Sequence, residues 1–449
     1  MSAVITPKFR IFNAKKFIAS LASENLYVGI GKPDVWAADD SAPETVKADL
    51  SYRNIAYQSL TDMKKINPAT EISHVMPKHD FDSSATDFVP WNSNSATAFD
   101  DKFYCITTTT PSRVYKCVGK DASVTGGPGL PTGSATTPQL VAGYWWQYMF
   151  ESLGTENDNF RTTVFAPVQT ATAASTRLTH QNACKAAAAN TGIYYYEVVN
   201  GGSGYGNTAT LTCNVYGDGT GAVATLKTNS SGVITGYTIT TAGTGYTYAA
   251  VENISGGGSG AIIRPSVAPG LGHGTDPVEE LGGHYIVAHT LLAGSAATVD
   301  NDFRQLSLIL NPIEDDGTTA AVAADYRPMR RLTVTAAESL TFAVDEIITE
   351  ATSGAQGRIV DKDTTNGYIY YVQSDDYSSS NVAITTGTGF KPFTGGLALS
   401  STTGAAASST LTVSPIKTGS GDIVFLENLA SPVDRGSNQT EDIKIVIEF

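Results

Sequence analysis

The sequence predicts a mainly β protein with a few short helices: a β-sandwich or barrel-like host interrupted by two small β modules. Three observations lead there. Of the 449 residues, 41% are hydrophobic and only 16% charged, so a packed core can form without long, charge-laced helices. Thr, Val and Tyr are abundant, with 21 Tyr against 4 Trp, and these side chains suit a pleated, half-buried surface. The 43 glycines gather in stretches that separate short apolar runs, which is the rhythm of turn and strand. The length allows two to four domains.

The elements follow in chain order. Phe9, Phe12, Phe17 and Leu21 recur at helical spacing through 9–25, with Lys15 and Lys16 between them. NLYVGIGKPDVW reads as a strand entering a Gly-Pro turn. YRNIAYQSLTDMKKI (52–66) has helical spacing and stops before Asn67-Pro68. ISHVMPKHDF is a strand broken by Pro77, and FYCITTTTPSRVYKCVGK is a hairpin around Pro111-Ser112. AGYWWQYMFESL is an aromatic strand suited to the centre of a core. HYIVAHTLL, RQLSLILNP and RRLTVTAA are further strands, and EDIKIVIEF closes the chain.

Composition divides the chain. The host comprises 1–190, 269–335 and 418–449, and the modules are 191–268 and 336–417. The first module is glycine-rich, nearly uncharged and internally duplicated. GIYYYEVVNGGSGY (192–205) aligns with VITGYTITTAGTGY (233–246), and GDGTGAVAT (217–225) with GGGSGAIIR (256–264) after a two-residue slip. Each copy reads strand, glycine-tyrosine turn, strand, glycine turn, strand. GDGTGA (217–222) fits the G-x-G-x-x-A form of a dinucleotide loop, but such a loop must open a helix whose N-terminus holds the phosphate. VATLKT and then NSSG follow it, leaving no room for one, so the glycines are read as turn residues. In the second module, Asn366-Gly367 between two apolar runs marks a hairpin.

The chemical constellations are weak. His74, His79, Asp80 and Asp82 match no zinc spacing, and Pro77 bars a helix that would align the two histidines. His284 and His289 lie five apart on an expected strand and so face opposite sides. DKDTTNG (361–367) lacks the oxygen ligand at its fifth position and has Val372 at the twelfth, so it reads as a polar hairpin tip rather than a calcium loop. Asp39-Asp40, Asp100-Asp101 and Asp315-Asp316 are adjacent pairs whose side chains diverge, read as solvated turns. No nucleophile elbow or P-loop is present. The expectation is a protein that is not an enzyme and has no catalytic, cofactor-binding or metal residues and no cofactor.

The net charge of -14 opposes a phosphate backbone, so no nucleic-acid partner is expected; the basic cluster Lys8, Arg10, Lys15 and Lys16 reads as a short surface helix. No signal peptide and no membrane-spanning run are expected. Cys105, Cys117, Cys184 and Cys213 have no C-x-x-C spacing and are expected to be reduced, in a protein assembled in a cytoplasm.

Several host stretches together carry a resemblance: YVGIGKPDVW, HVMPKHDFD, SRVYKCV, GYWWQYMFE, DNDFRQLSLILNP (301–312 from its second residue), DYRPMRRLTV, GDIVFLENLASPV and the closing QTEDIKIVIEF. In this order they resemble the baseplate wedge subunit family, gene product eight, of T-even-like contractile-tailed bacteriophages. The resemblance covers about 290 residues of the host and neither module. It implies a non-enzymatic, largely β virion protein of the tail baseplate. Such a protein is a homodimer within each wedge that contacts neighbouring wedge proteins and is assembled in the cytoplasm of the infected cell. The modules are a departure from the family. They support an alternative, a virion carbohydrate-binding adhesin in which Tyr194, Tyr205, Tyr237, Tyr246, Tyr370 and Tyr371 would stack on glycans.

Overall fold

The computed structural model describes residues 5–32, 46, 51–84, 88–95, 99, 101–121, 124, 126–294, 297–373 and 391–449. Asp39, Asp40 and Asp100 lie outside them. The protein is mainly β, with six short α-helices among the described residues. It divides into two compact units: residues 1–17, 72–288 and 445–449, and residues 18–71 and 289–444.

In the first unit, the helix Pro7–Ser20 begins the chain. Strands Tyr104–Ile106, Arg113–Lys120, Tyr144–Glu151 and Gln139–Val141 form a sheet in that order, so the hairpin around Pro111-Ser112 is present and the aromatic strand is internal. Ile72–Pro77 pairs with residues 285–288 on one side and with Phe165–Pro167 on the other. Ile11, Met76, Phe103, Met149, Phe150 and Leu281 meet in one core. Fully burying a Phe or Met side chain stabilises by about 1.5–3 kcal/mol, so this cluster contributes substantially to the unit's core.

Residues 191–268 build their own core within this unit, around Ile193, Tyr196, Leu226, Ile234 and Ile263. The first copy has four strands and the second three: Thr210–Thr212 pairs within its own copy, with Thr220–Thr228, and the other strands pair across copies. Tyr195–Ser203 pairs with Ser259–Ser266, and Thr220–Thr228 pairs with Ile234–Thr244. The middle strands Asn214–Gly217 and Ala249–Glu252 pair with each other. The first strand of each copy thus lies against the last strand of the other. A strand, Thr220–Thr228, follows GDGTGA, where a nucleotide loop would need a helix. Gly202 and Gly243 occupy equivalent places, with φ of +63° and +70°. A Cβ on Gly202 would stand 2.6 Å from the Ala261 nitrogen, and one on Gly243 2.5 Å from the Ala222 nitrogen. Only glycine meets both demands.

The second unit contains a five-stranded sheet, in the order Asp325–Tyr326, Leu60–Lys65, Leu26–Gly31, Asn301–Leu310, Asp422–Arg435. Here one expectation is corrected. The helical spacing of 52–66 holds only over Ser51–Ser59, and Leu60–Lys65 is a strand paired with Tyr27–Gly31. Leu60, Thr61, Asp62 and Met63 are buried there; sheet pairing and burial override a local helical pattern. A seven-stranded sheet holds the second module and also takes in Arg330–Thr333, before residue 336, between Tyr368–Val372 and Thr410–Thr412. Its core includes Leu332, Phe342, Ile359, Tyr371 and Phe393. The hairpin at Asn366-Gly367 is present: Asp363 accepts from the backbone of Thr365 and Asn366, both at 3.0 Å.

Candidate functional site

In the first unit a groove of about 670 Å³ lies between the strand Tyr144–Glu151 and the helix Thr176–Ala186 and is lined by several charged and polar side chains. The helix starts where it does because Ser175 accepts from the Leu178 nitrogen at 3.1 Å, satisfying one of the free N-terminal donors. Arg177 on its first turn donates to both Glu156 oxygens, at 3.0 and 2.8 Å, and to the Glu151 carbonyl at 3.1 Å. Its guanidinium lies 5.0 Å over the Phe150 ring. This forked geometry fixes arginine more firmly than a single contact would. Arg113 pairs with Glu151, its cross-strand neighbour in the wall of this groove, at 3.7 Å.

His180 and Cys184 stand one turn apart on this helix, with Nε2 and Sγ 3.2 Å apart. The nucleophile of a cysteine-histidine pair is the thiolate, either pre-formed beside an imidazolium or generated when a neutral imidazole takes the proton. The surroundings oppose the pre-formed ion pair. Burial pushes the Cys184 thiol up to about 12 and pushes the His180 imidazole down. His180 Nε2 also lies 3.2 Å from the Tyr148 carbonyl, which links the helix to the strand.

Behind the groove lies a buried charge network. Lys116 and Glu280 are 0% and 2% exposed, and the ammonium is 2.9 Å from the carboxylate. Trp91 offers its ring face to the ammonium at 4.6 Å. The carboxylate accepts from the nitrogens of Gly274, Thr275 and Asp276 at 3.1, 2.8 and 3.2 Å. Burial works to raise the pKa of Glu280, but the Lys116 charge and the hydrogen bonds outweigh it and hold the group at about 2. The strand Arg113–Lys120 is thereby tied to the short helix Pro277–Glu280.

The residues singled out in the sequence are not assembled into one site. His74 Nδ1 is 2.8 Å from the Gly283 carbonyl, while the His79 ring rests 4.9 Å from that of Tyr104. Asp80 pairs with Lys78 and Arg161, and Asp82 accepts from Ser84. His284 is 3.9 Å from Glu448, and His289 is 2.9 Å from Asp442. Asp361 binds Arg327, and Asp316 accepts from the backbone of Thr318 and Thr319. Cys105, Cys117, Cys184 and Cys213 are free thiols. Among the described residues, no three His, Cys, Asp or Glu side chains are grouped so as to hold a metal ion. No helix among them is long and apolar enough to cross a membrane. In the basic helix, Arg10 binds Glu448 and Lys15 binds Asp276 and Glu279.

The six tyrosines that the adhesin alternative would use on glycans are mostly buried. Tyr194, Tyr205, Tyr237, Tyr246 and Tyr371 are buried, and Tyr370 is half-buried beneath Arg327. Their rings are core groups: Tyr205 and Tyr246 lie under the glycine backbones of the opposite copy. No family model matches the chain, and no curated protein matches it significantly.

Proposed function

We propose that this chain is a structural subunit of a contractile-tail baseplate wedge, which joins neighbouring wedge proteins as a homodimer and catalyses nothing. One observation carries the reading: the ordered segments that resemble the baseplate wedge family are framework strands. They supply Leu26–Gly31, Ile72–Pro77, Arg113–Lys120, Tyr144–Glu151, Asn301–Leu310, Asp422–Arg435 and Thr440–Glu448. The resemblance thus runs through the sheets of both units; the first module has a core of its own, and the core around the second module also takes in Leu332 and Val334 of the host. A protein of this kind works in the virion, at the tail baseplate, after assembly in the cytoplasm of the infected cell. A permanent dimer should bury more than about 2,000 Å² with an apolar centre, and should therefore persist at high salt. Light scattering of the purified chain from low to high salt checks the dimer, with a particle of twice the chain mass expected throughout. A monomer at micromolar concentration would remove the dimer, and density for this chain outside the baseplate in a virion map would remove the role itself.

A further inference from the structure

The first module buries the tyrosines its duplication requires and exposes two that it does not. Tyr216 is 47% exposed and Tyr248 65% exposed. Tyr205 and Tyr246 are repeat equivalents, whereas Tyr248 stands where the first copy has Asn207 and Tyr216 where the second has Ser255. The framework does not explain either ring.

Both belong to the ribbon of Asn214–Gly217 and Ala249–Glu252. Tyr216 lies directly opposite Ala250, and Tyr248 immediately precedes the second strand, diagonal to Tyr216. Diagonal neighbours on a ribbon are within reach of aromatic side chains. Val215 and Val251 alternate to the other face and pack on the module core, so Tyr216 is on the outer face. Ala250 is too small to cover the ring opposite it. The Tyr216 hydroxyl accepts from the amides of Asn214 at 3.1 Å and Asn253 at 2.8 Å, which orients the ring. Asp218 accepts from the Thr247 nitrogen and hydroxyl at 2.9 and 2.5 Å and from the Tyr248 nitrogen at 3.3 Å, which fixes the backbone carrying the second ring.

We propose that this face, Tyr216 and Tyr248 with Asn214, Glu252 and Asn253 at its rim, is a binding site for a neutral saccharide. The C–H faces of a pyranose ring pack on exposed aromatic faces, and its hydroxyls pair with amides and carboxylates. Charge selects the neutral class. Residues 191–268 carry only Glu197, Asp218, Lys227, Glu252 and Arg264, and the two cations lie on Thr220–Thr228 and Ser259–Ser266, off the ribbon. An anionic ligand would meet Asp218 and Glu252 with no cation to offset them. The site is independent of where the protein is assembled.

The test uses the full chain on an immobilised panel of neutral glucose-, galactose- and mannose-terminated oligosaccharides, beside sialylated and sulfated ones. Binding to at least one neutral glycan is expected. Tyr216→Ala and Tyr248→Ala should each weaken it about tenfold, and Tyr216→Phe, which keeps the ring, by less than about threefold. Thermal melting of each variant establishes that the module remains folded. No neutral glycan bound, a preference for the anionic ones, or undiminished binding by the double alanine variant would overturn the proposal. None of these outcomes bears on the virion location or the dimer.

Discussion

Lys116 and Glu280 are tolerable in the interior because each is the other's partner and the backbone supplies the remaining hydrogen bonds. The same burial sets the acid response of the first unit. Burial pushes the imidazoles of His74 and His273 down to about 4, and the Lys116 charge adds to the effect at His273. In the unfolded chain they titrate near 6.5. Between these values the unfolded state binds more protons, so the stabilisation is complete above about pH 6.5 and is lost as pH falls towards 4. Glu280, held at about 2, adds a second loss as pH falls from 4.5 towards 2. The melting midpoint should therefore be level from pH 8 to 7 and decline below 6.5. His273→Gln should flatten the first decline and keep the second. Equal midpoints at pH 7 and pH 4.5 would contradict this. The His180–Cys184 contact went unread because the helix Thr176–Ala186, which brings such four-residue spacings together, was not recognised in the sequence. The pairing of Lys116 with Glu280 was not legible either, because their 164 residues of separation leave no local trace.

Among elements, the cross-paired module makes the sharpest demand on sequence. A Cβ on Gly219 would stand 2.5 Å from Cγ of Tyr246, and one on Gly258 2.4 Å from Cγ of Tyr205. The duplication therefore repeats a ring-under-glycine contact, each ring reaching into the other copy. Gly219→Ala and Gly258→Ala should each destabilise by about 1–3 kcal/mol, because a closely packed contact cannot absorb the added methyl. Gly126, with open space around it, is the control. Urea unfolding measures all three, and midpoints equal to the control would show that the rings can move aside. The glycine-tyrosine turns were readable from their spacing, whereas the split of the first copy's middle into Thr210–Thr212 and Asn214–Gly217 was not. The strands' choice of partner was not readable either, since the alternation of apolar residues says which face is buried and nothing about which strand lies alongside. Residues 60–65 failed for a related reason: their helical spacing yields to pairing with Tyr27–Gly31.

For the whole molecule, composition marked the modules but not the division into two units, which joins residues hundreds of positions apart. The modules should differ in how cleanly they can be removed. Residues 191–268 enter and leave side by side, with Tyr195 paired to Ser266, and they own their core. They dock on the rest of the first unit through contacts such as the Tyr237 hydroxyl to the Lys120 carbonyl at 2.7 Å. Excising them with a short linker should leave a soluble, folded chain. Excising 336–417 strips both neighbours from Arg330–Thr333 and uncovers Leu332, which is fully buried. That product should aggregate, as exposed strand edges do. Circular dichroism and size-exclusion chromatography of the two products decide the matter; the reverse result would contradict the assignment.

The strand exchange inside the first module bears on how it arose and how it is made. Two copies that each complete the other have the form of an exchange dimer joined into one chain. An ancestor encoding one copy would then have been a self-associating peptide, and duplication in tandem would have turned an encounter between molecules into an event within one. The arrangement also bears on synthesis. When residues 195–203 leave the ribosome, their partners at 259–266 do not yet exist, so the module must wait about sixty residues before its first strand can close, as befits a contact whose loop is paid for in entropy before any pairing rewards it.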